Sequence, residues 1–448
     1  MIDSKALTKI QSIIAAAILL VAAVAGGAAY VFWRASLPSP EDIRIGLCSD
    51  LDNALGRDVW RAAILAAEQI NAEGGVLGRN FTIVAEDDDS GNLPVDLAVA
   101  SSALTKLITI DKADFVITST GIVTYVYAFQ EICADHNKTY FSVSGGFDEF
   151  TQRVADDYER YKYFFRLWPT NQTTLAESIL GDLLTLREYT GFTKVAYLFN
   201  DGTQPKALES KLKSSLPANG FEMVYGGFFP SQTTDFTSYF AAIEASGAEI
   251  LLPGIITQAS ISFVKEWNTR QSPCVIWGSA WLFQAQDSNF WELTEGKCEY
   301  VSFSGVPVLS GYPLTSKTVP TAEAYLERWG TKIPNAGSVA THDVVRFILP
   351  EAIKRAGTTE TEAVIKALEA TDVETSMARH FVFTSSHDVF VGKAGTNQPA
   401  EDYLLVMIFQ WQGGQQVPIC PREIMEEAGA VYRFPSWKGP WGNRQTAG

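Results

Sequence analysis

The chain has 448 residues, of which 46% are hydrophobic and 19% are charged, enough for a globular core of two or more domains. Its formal net charge of -16 argues against nucleic acid and against anionic lipid surfaces as partners, because those contacts need basic patches.

The first predicted element is an apolar segment near the N-terminus. Residues 10–33 carry no charge, and Lys9 and Arg34 bound this run. A helix that spans a bilayer takes about 20 apolar residues, whereas the apolar region of a secretory signal has about 7–15. We therefore favour an uncleaved membrane anchor over a removed signal peptide, with residues 1–42 forming this segment and its linker. Lysines precede the run and acidic residues follow it, so either interpretation leaves the body of the protein outside the cytoplasm.

After this segment, β-rich apolar runs alternate with amphipathic stretches such as residues 175–189 and 236–247. This alternation is typical of βαβ units, in which helices cover both faces of a parallel sheet. The predicted strands exceed what one compact open sheet usually carries, so we expect two sheets and two lobes. These strands cover residues 43–48, 81–86, 115–118, 140–144, 195–200, 223–229, 249–255 and 274–279.

Later stretches predict that the chain passes between the lobes more than once. A strand runs into a Trp-Pro pair at residues 168–169, and proline disfavours helix at the residue before it. A second transition around residues 300–313 precedes a long predicted helix over residues 337–357. Residues 405–420 indicate a hairpin that turns on a Gly-Gly pair at 413–414.

The glycines near residue 75 are predicted to be structural and not part of a phosphate site. Apolar residues at helical spacing precede Gly74 and Gly75, and the β-rich residues 81–84 follow them. A dinucleotide fingerprint has the opposite order, with a strand before its glycines and a helix after them. We therefore predict that these glycines end a helix and lead into a strand.

The same stretch carries a family resemblance. The sequence GRDVWRAAILAAEQINAEGGVLGRNFTIVAEDDD, residues 56–89, closely resembles the first helix and strand of the branched-chain amino acid-binding proteins. These are type I periplasmic binding proteins that serve ABC importers. The resemblance continues in order through residues 140–151, 164–174, 195–254 and 409–421.

The resemblance implies an α/β fold of two doubly wound lobes with parallel sheets, which hold a ligand between them. It implies three crossovers between the lobes, near Phe165, Ser304 and Thr384. The implied layout places residues 43–164 and 304–384 in lobe one, residues 165–303 and 385–430 in lobe two, and residues 431–448 in a C-terminal tail.

The predicted site lies at the carboxyl ends of the strands, where open parallel sheets bind their ligands. In the resembled family, hydroxyl and backbone groups of two loops in lobe one hold the carboxylate of the ligand. The resemblance places Ser119, Thr120 and Gly121 in the first of these loops and Ser144, Gly145 and Gly146 in the second. The alternative is that they are ordinary turn residues.

Lobe two departs from the family pattern. Residues 278–281 contain no acid where amino acid-binding members tend to place one for the ammonium group, and Asp201 is the nearby substitute. The sequence therefore predicts a small solute with one acceptor end and an uncharged or weakly polar remainder. Trp281 belongs either to this pocket or to the core of lobe two. The remaining predicted ligand-binding residues are Leu55, Gln204, Ile256 and Ala280.

Catalytic and metal-binding motifs are missing from the sequence. Residues 87–89 lack the order of acids of an EF-hand loop, and the four histidines have no metal-ligand spacing. No C-x-x-C, nucleophile elbow or P-loop motif occurs, so we expect no enzyme activity, no metal and no cofactor. Cys274 and Cys298 either pair in an oxidising compartment or remain buried free thiols.

Together these features predict a membrane-anchored, extracellular or periplasmic solute-binding protein, with a small-molecule ligand and an ABC permease as partners. The alternative is the ligand-sensing domain of a signalling receptor complex. After residue 43 no apolar run approaches the length of a membrane span, so the output domain of such a receptor would come from another chain.

Overall fold

The computed structural model describes residues 41–91, 95–256, 259–279, 281–392 and 402–447. The predicted anchor at residues 10–33 lies outside these described residues. Among the helices described, none combines the length and the apolar character that a membrane crossing requires.

Strands and helices alternate along the chain as the sequence predicts. The strands are β1 Ile43–Cys48, β2 Phe81–Glu86, β3 Phe115–Thr118, β4 Thr139–Ser142, β5 Phe164–Arg166, β6 Lys194–Asn200, β7 Glu222–Phe229, β8 Ile250–Ile255, β9 Val275–Gly278, β10 Trp281–Leu282, β11 Ser302–Gly305, β12 Asp372–Val373, β13 Phe381–Val382, β14 Met407–Gln412, β15 Gln415–Cys420, β16 Tyr432–Arg433 and β17 Thr446–Ala447. The helices are α1 Ala54–Ala72, α2 Leu97–Thr109, α3 Val123–Asp135, α4 Glu149–Asp156, α5 Tyr158–Tyr161, α6 Gln172–Thr190, α7 Thr203–Ala218, α8 Thr237–Ala245, α9 Ala259–Arg270, α10 Phe290–Leu293, α11 Pro307–Ser310, α12 Thr318–Trp329, α13 Ala336–Asp343, α14 Leu349–Ala356, α15 Thr361–Glu369 and α16 Arg422–Glu427.

The first sheet has the strand order β2-β1-β3-β4-β5, and all of its strands are parallel. Helix α1 buries the predicted apolar stripe, which includes Val59, Ala66 and Ile70, against this part of the molecule. Gly74 and Gly75 follow α1 with φ angles of 98° and 73°, a left-handed conformation that costs glycine little. The structure therefore confirms that these glycines join a helix to a strand.

The second sheet has the order β15-β14-β11-β9-β8-β6-β7, and β10 pairs with β8. Its strands are parallel except for β14, which runs antiparallel to both β11 and β15. Strands β14 and β15 form the predicted hairpin on the Gly-Gly turn. The prediction of parallel sheets is therefore correct for the first sheet and incomplete for the second.

We call the first sheet with its packed helices lobe one, and the second sheet with its packed helices lobe two. Buried residues from the later helices, such as Ile348 of the turn before α14 and Leu368 of α15, join the cluster around Ile45 in lobe one. Val389 and Leu404 pack in that same cluster although both follow the predicted crossover near Thr384. The next residue along the chain, Leu405, packs in lobe two.

Three local features add to the sequence analysis. A π-helical turn at Val344–Ile348 divides the long predicted helix into α13 and α14, next to Pro350, which cannot donate a helical hydrogen bond. The C-terminal tail packs on lobe two through the buried side chains of Tyr432, Phe434 and Trp441. All five cysteines are buried free thiols, so Cys274 and Cys298 do not pair in this structure.

Candidate functional site

A cavity of about 380 Å³ is lined by residues of both lobes. Its lining comes from the carboxyl ends of strands and from the first residues of the helices that follow, the position predicted by the topology of open α/β sheets. The strands that lead into it include β3 and β4 of lobe one and β8 and β11 of lobe two. Both lobes belong to one compact unit, Ile43–Gly448.

Two serines of lobe one lie at this cavity in loops that hydrogen bonds fix in place. Ser119 follows β3, and its hydroxyl forms a hydrogen bond with the hydroxyl of Ser49 at the end of β1. Ser144 follows β4, and its carbonyl oxygen accepts a hydrogen bond of 2.8 Å from the hydroxyl of Ser142. Both serines line the cavity, so the loops after two adjacent strands bring serine residues to the same space.

Glycine allows these loops to approach one another closely. Gly145 has a φ angle of 85°, and a Cβ atom added there would lie 2.9 Å from the ring of Phe150 and 3.2 Å from the Cα atom of Gly121. At Gly146 an added Cβ atom would lie 2.9 Å from the carbonyl oxygen of Thr170. The cavity wall therefore has no room for a larger residue at either position without movement of the backbone or of Phe150.

Most of the predicted site residues come together at the cavity. Asp201 and Thr120 do not line it, and Ala280 lies outside the described residues. The predicted residues that line it are Leu55, Ser119, Gly121, Ser144, Gly145, Gly146, Gln204, Ile256 and Trp281.

The two exceptions have local partners that explain their positions. Thr120 is buried, and its hydroxyl oxygen accepts a hydrogen bond of 3.2 Å from the backbone N–H of Ile122, just before α3. Asp201 is exposed and forms an ion pair of 2.5 Å with Lys206. Thr120 therefore supports the loop, and the substitute acid proposed from the sequence faces a lysine and not the cavity.

An acid that was not among the predicted site residues lies on the lobe-two side of the cavity. Asp287 lines the cavity just after a 3-10 turn at Phe283–Gln286. Burial raises the pKa of this carboxyl from 3.8 to about 6. The only sequence signal was a lone acid at the end of the apolar and amide-rich stretch WLFQAQD, a few residues beyond the predicted loop.

Aromatic side chains form part of the wall. Trp168, Trp281 and Phe283 line the cavity. Trp281 also packs against a core cluster of lobe two, with its ring centroid 6.5 Å from that of Phe199. Both interpretations of Trp281 from the sequence are therefore compatible with its position, since the residue packs on the core of lobe two and also lines the cavity.

The acids at the end of β2 act as loop caps. Asp87 accepts a hydrogen bond of 2.9 Å from the backbone N–H of Leu51, and Asp88 accepts one of 3.0 Å from Ser90. Burial raises the pKa of Asp88. In the part of the chain that the structure describes, no three or more His, Cys, Asp or Glu residues are grouped so as to hold a metal ion.

Comparisons with known proteins show the family and the fold of this chain. The family model described as periplasmic binding protein matches residues 42–395. The Leu/Ile/Val-binding protein homolog 7 of Brucella abortus is 25% identical over 418 residues, which cover 90% of this chain and 95% of that protein.

Two solved structures show the same fold. A putative branched-chain amino acid ABC transporter from Silicibacter pomeroyi has a TM-score of 0.74 at 17% identity, covering 89% of this chain and 100% of that one. An ABC transporter solute-binding protein from R. palustris in complex with benzoate has a TM-score of 0.62 at 16% identity, covering 84% and 95%. With a family model that matches most of its length, and with the type I fold predicted from residues 56–89, the chain belongs to the periplasmic binding protein family.

Proposed function

We propose that the protein captures a small solute outside the cytoplasm and delivers it to the permease of an ABC importer. The observation that carries this proposal is the cavity of about 380 Å³ to which both lobes contribute. Its volume lies within the range of about 300–1,000 Å³ that is usual for small-molecule sites. A ligand that contacts both lobes stabilises the arrangement in which they are close, and the permease can recognise that arrangement.

The chemistry of lobe one favours a ligand with an anionic or carbonyl-bearing end. Ser119 and Ser144 provide hydroxyl donors, and backbone N–H groups beside Gly145 and Gly146 are suited to a small anion. Two related proteins support a carboxylate, since one is named for leucine, isoleucine and valine and the other was solved with benzoate.

The remainder of the ligand faces an apolar wall. Leu55 of lobe one and Ile256 of lobe two line the cavity with 47% and 50% of their surface exposed, which is high for large apolar side chains. Trp168 and Trp281 add aromatic surface. Covering these side chains with an apolar part of the solute would stabilise the complex through burial of nonpolar surface.

Binding, and not catalysis, is the function that this arrangement supports. The hydroxyl of Ser119 pairs with another hydroxyl, that of Ser49, and not with a histidine or carboxylate that would activate it as a nucleophile. The same cavity would serve the alternative function, ligand sensing in a receptor complex. Residues 10–33 would tether the protein to the membrane in either case.

Thermal unfolding of the purified full chain with a panel of amino acids, small carboxylates, amides and short peptides tests solute capture. A ligand at a hundredfold excess over its Kd should stabilise the protein by about 2.7 kcal/mol. Ser144→Phe, which fills the cavity, should abolish this shift, whereas Ser214→Phe on the exposed side of α7 should retain it. Unchanged melting across the whole panel would contradict the proposal.

Crosslinking in native membranes distinguishes the two possible membrane partners, a permease and a signalling output domain. An ABC permease captured through the closed, ligand-bound protein supports import. Capture of a membrane kinase or another output domain, without a permease, supports the sensing alternative.

A further inference from the structure

A carboxylate of lobe one, that of Asp148, reaches the first two helices of lobe two. Its oxygens accept hydrogen bonds from the backbone N–H of Thr173 at 3.0 Å and from the hydroxyl of Thr173 at 2.6 Å. The ammonium group of Lys211 lies 3.1 Å from the second of these oxygens, and it also donates to the hydroxyl oxygen of Thr173 at 2.8 Å. We call Asp148, Thr173 and Lys211 the inter-lobe contact.

The inter-lobe contact borders the cavity but does not belong to it. Asp148 ends the loop after β4 that contributes Gly146 to the cavity lining, and Thr173 follows Gln172, which lines the cavity from lobe two. None of the three residues of the contact lines the cavity itself. The contact therefore joins the two walls of the cavity from outside, where it touches no bound solute.

Charge and helix geometry make this contact favourable. The N–H of Thr173 belongs to the first turn of α6, where backbone N–H groups have no partner within the helix and a carboxylate is stabilised. Burial raises the pKa of Asp148, but the hydrogen bonds from Thr173 and Lys211 outweigh burial and lower this pKa below its ordinary value of 3.8. The carboxyl group is therefore ionised at neutral pH.

Lys211 makes the contact sensitive to the relative position of the lobes. Thr173 directly follows the first crossover, so rotation about that crossover moves it little. Lys211 lies instead in the middle of α7, on the far side of β6 along the chain. A rotation that moves the two cavity walls apart therefore separates Lys211 from Asp148.

From this arrangement, and resting on the proposed function, we propose that the inter-lobe contact holds the two lobes together around a captured solute and thereby sets the rate at which the solute leaves. Asp148 is a positioning residue in this role, because it acts on the solute only through the two cavity walls. The contact raises affinity by slowing dissociation, since the first encounter of a solute with the separated lobes does not require it.

Stopped-flow kinetics of L-leucine and of benzoate with the full chain test this proposal, with the other amino acids and carboxylates of the thermal panel as further probes. Asp148→Asn and Lys211→Gln should each raise the dissociation rate constant about three- to tenfold and leave the association rate constant unchanged. The double variant should dissociate no faster than the faster single variant, because both changes break the same pair. Lys211→Arg retains the charge and should recover part of the slow dissociation.

Lys213→Gln is the matched control, because Lys213 lies on the same helix and pairs at 2.8 Å with Glu209 of that helix. It should leave both rate constants unchanged. Lower melting temperatures of Asp148→Asn and Lys211→Gln with unchanged dissociation rates would reduce the contact to a structural role. That result would overturn this inference while solute capture stands.

If no solute of the panel binds, the proposed function fails, and small-angle X-ray scattering of the solute-free proteins decides the role of the contact instead. Asp148→Asn and Lys211→Gln should then have a larger radius of gyration than the wild type and Lys213→Gln, because their lobes separate more readily. Identical radii in all four proteins would overturn this inference together with the proposed function.

Discussion

Arg166 and Asp388 lie 222 residues apart in the chain and form a buried, two-pronged ion pair. The Nε atom of Arg166 donates to one carboxylate oxygen at 2.7 Å, and a terminal guanidinium nitrogen donates to the other. Asn171, the N-cap of α6 in lobe two, also donates to Asp388 at 2.8 Å. Asp388 therefore connects the end of β5 in lobe one, through Arg166, to the start of the first helix of lobe two, through Asn171.

Removal of one member of this pair should strongly destabilise the protein. Asp388→Asn leaves the guanidinium of Arg166 buried without its counter-ion, and such a change costs about 3–5 kcal/mol. Urea unfolding followed by circular dichroism measures the free energy of unfolding. Glu351→Gln, which breaks the exposed pair with Lys354, is the control and should change stability by less than about 1 kcal/mol. A similar cost for both variants would mean that the buried pair has no special structural role.

The carboxylate of Asp287, to which none of the described residues donates a hydrogen bond, should give the ligand-free protein a specific pH dependence. Its pKa is raised from 3.8 to about 6 in the folded protein, so between these values the folded state binds more protons than the unfolded state. The free energy of unfolding therefore falls as pH rises through this window. Asp287→Asn should melt at a higher temperature than the wild type above pH 7, and this difference should vanish near pH 4. A difference that is constant with pH would contradict the charge assigned to this group.

Ser144→Ala should weaken binding of a carboxylate-bearing ligand. Ser144 lines the cavity, and loss of a donor to a buried ligand acceptor costs about 1–3 kcal/mol. Calorimetric titration with the best ligand of the panel measures the change in Kd. Ser214→Ala, on the exposed side of α7, should have no effect, and equal affinity of both variants would remove Ser144 from the ligand site.

Gly145→Ala and Gly191→Ala form a matched pair of backbone tests. Both glycines have positive φ angles, 85° and 80°, so alanine costs about 1–2 kcal/mol at each. Only at Gly145 does the added Cβ atom meet other groups, the ring of Phe150 and the backbone of Gly121. We expect both variants to lose similar thermal stability because alanine disfavours the positive φ angle. Gly145→Ala alone should lose additional thermal stability and bind the ligand more weakly. Unchanged ligand affinity in this variant would show that the close approach of the two loops is not needed for binding.

Trp281→Ala should reduce affinity by about 1–3 kcal/mol if the ring packs on the apolar part of the solute. Trp281→Phe retains most of the aromatic surface and should recover most of the affinity. Titrations with both variants, together with their melting temperatures, separate ligand contact from the packing of Trp281 on Phe199. Loss of stability without loss of affinity would assign the ring to the core of lobe two.

The sequence by itself determined the local elements and the class of fold. The stripe of α1, the glycines after it and the β-rich run of β2 are short-range patterns, because helix ends and strands depend on neighbouring residues. The strand ends in turn indicated the loops that line the cavity, including those of Ser119 and Ser144.

Only the tertiary structure decided which polar side chains meet one another. Periodicity identifies the buried face of an element but not its distant partner, so Arg166 and Asp388 gave no signal across 222 residues. Likewise, Asp201, a candidate ligand group in the sequence, forms an ion pair with Lys206, five residues further along the chain. Asp287 lies at the cavity because β10 and the 3-10 turn after it run along the cavity wall. That path depends on the pairing of β10 with β8 and not on local propensity.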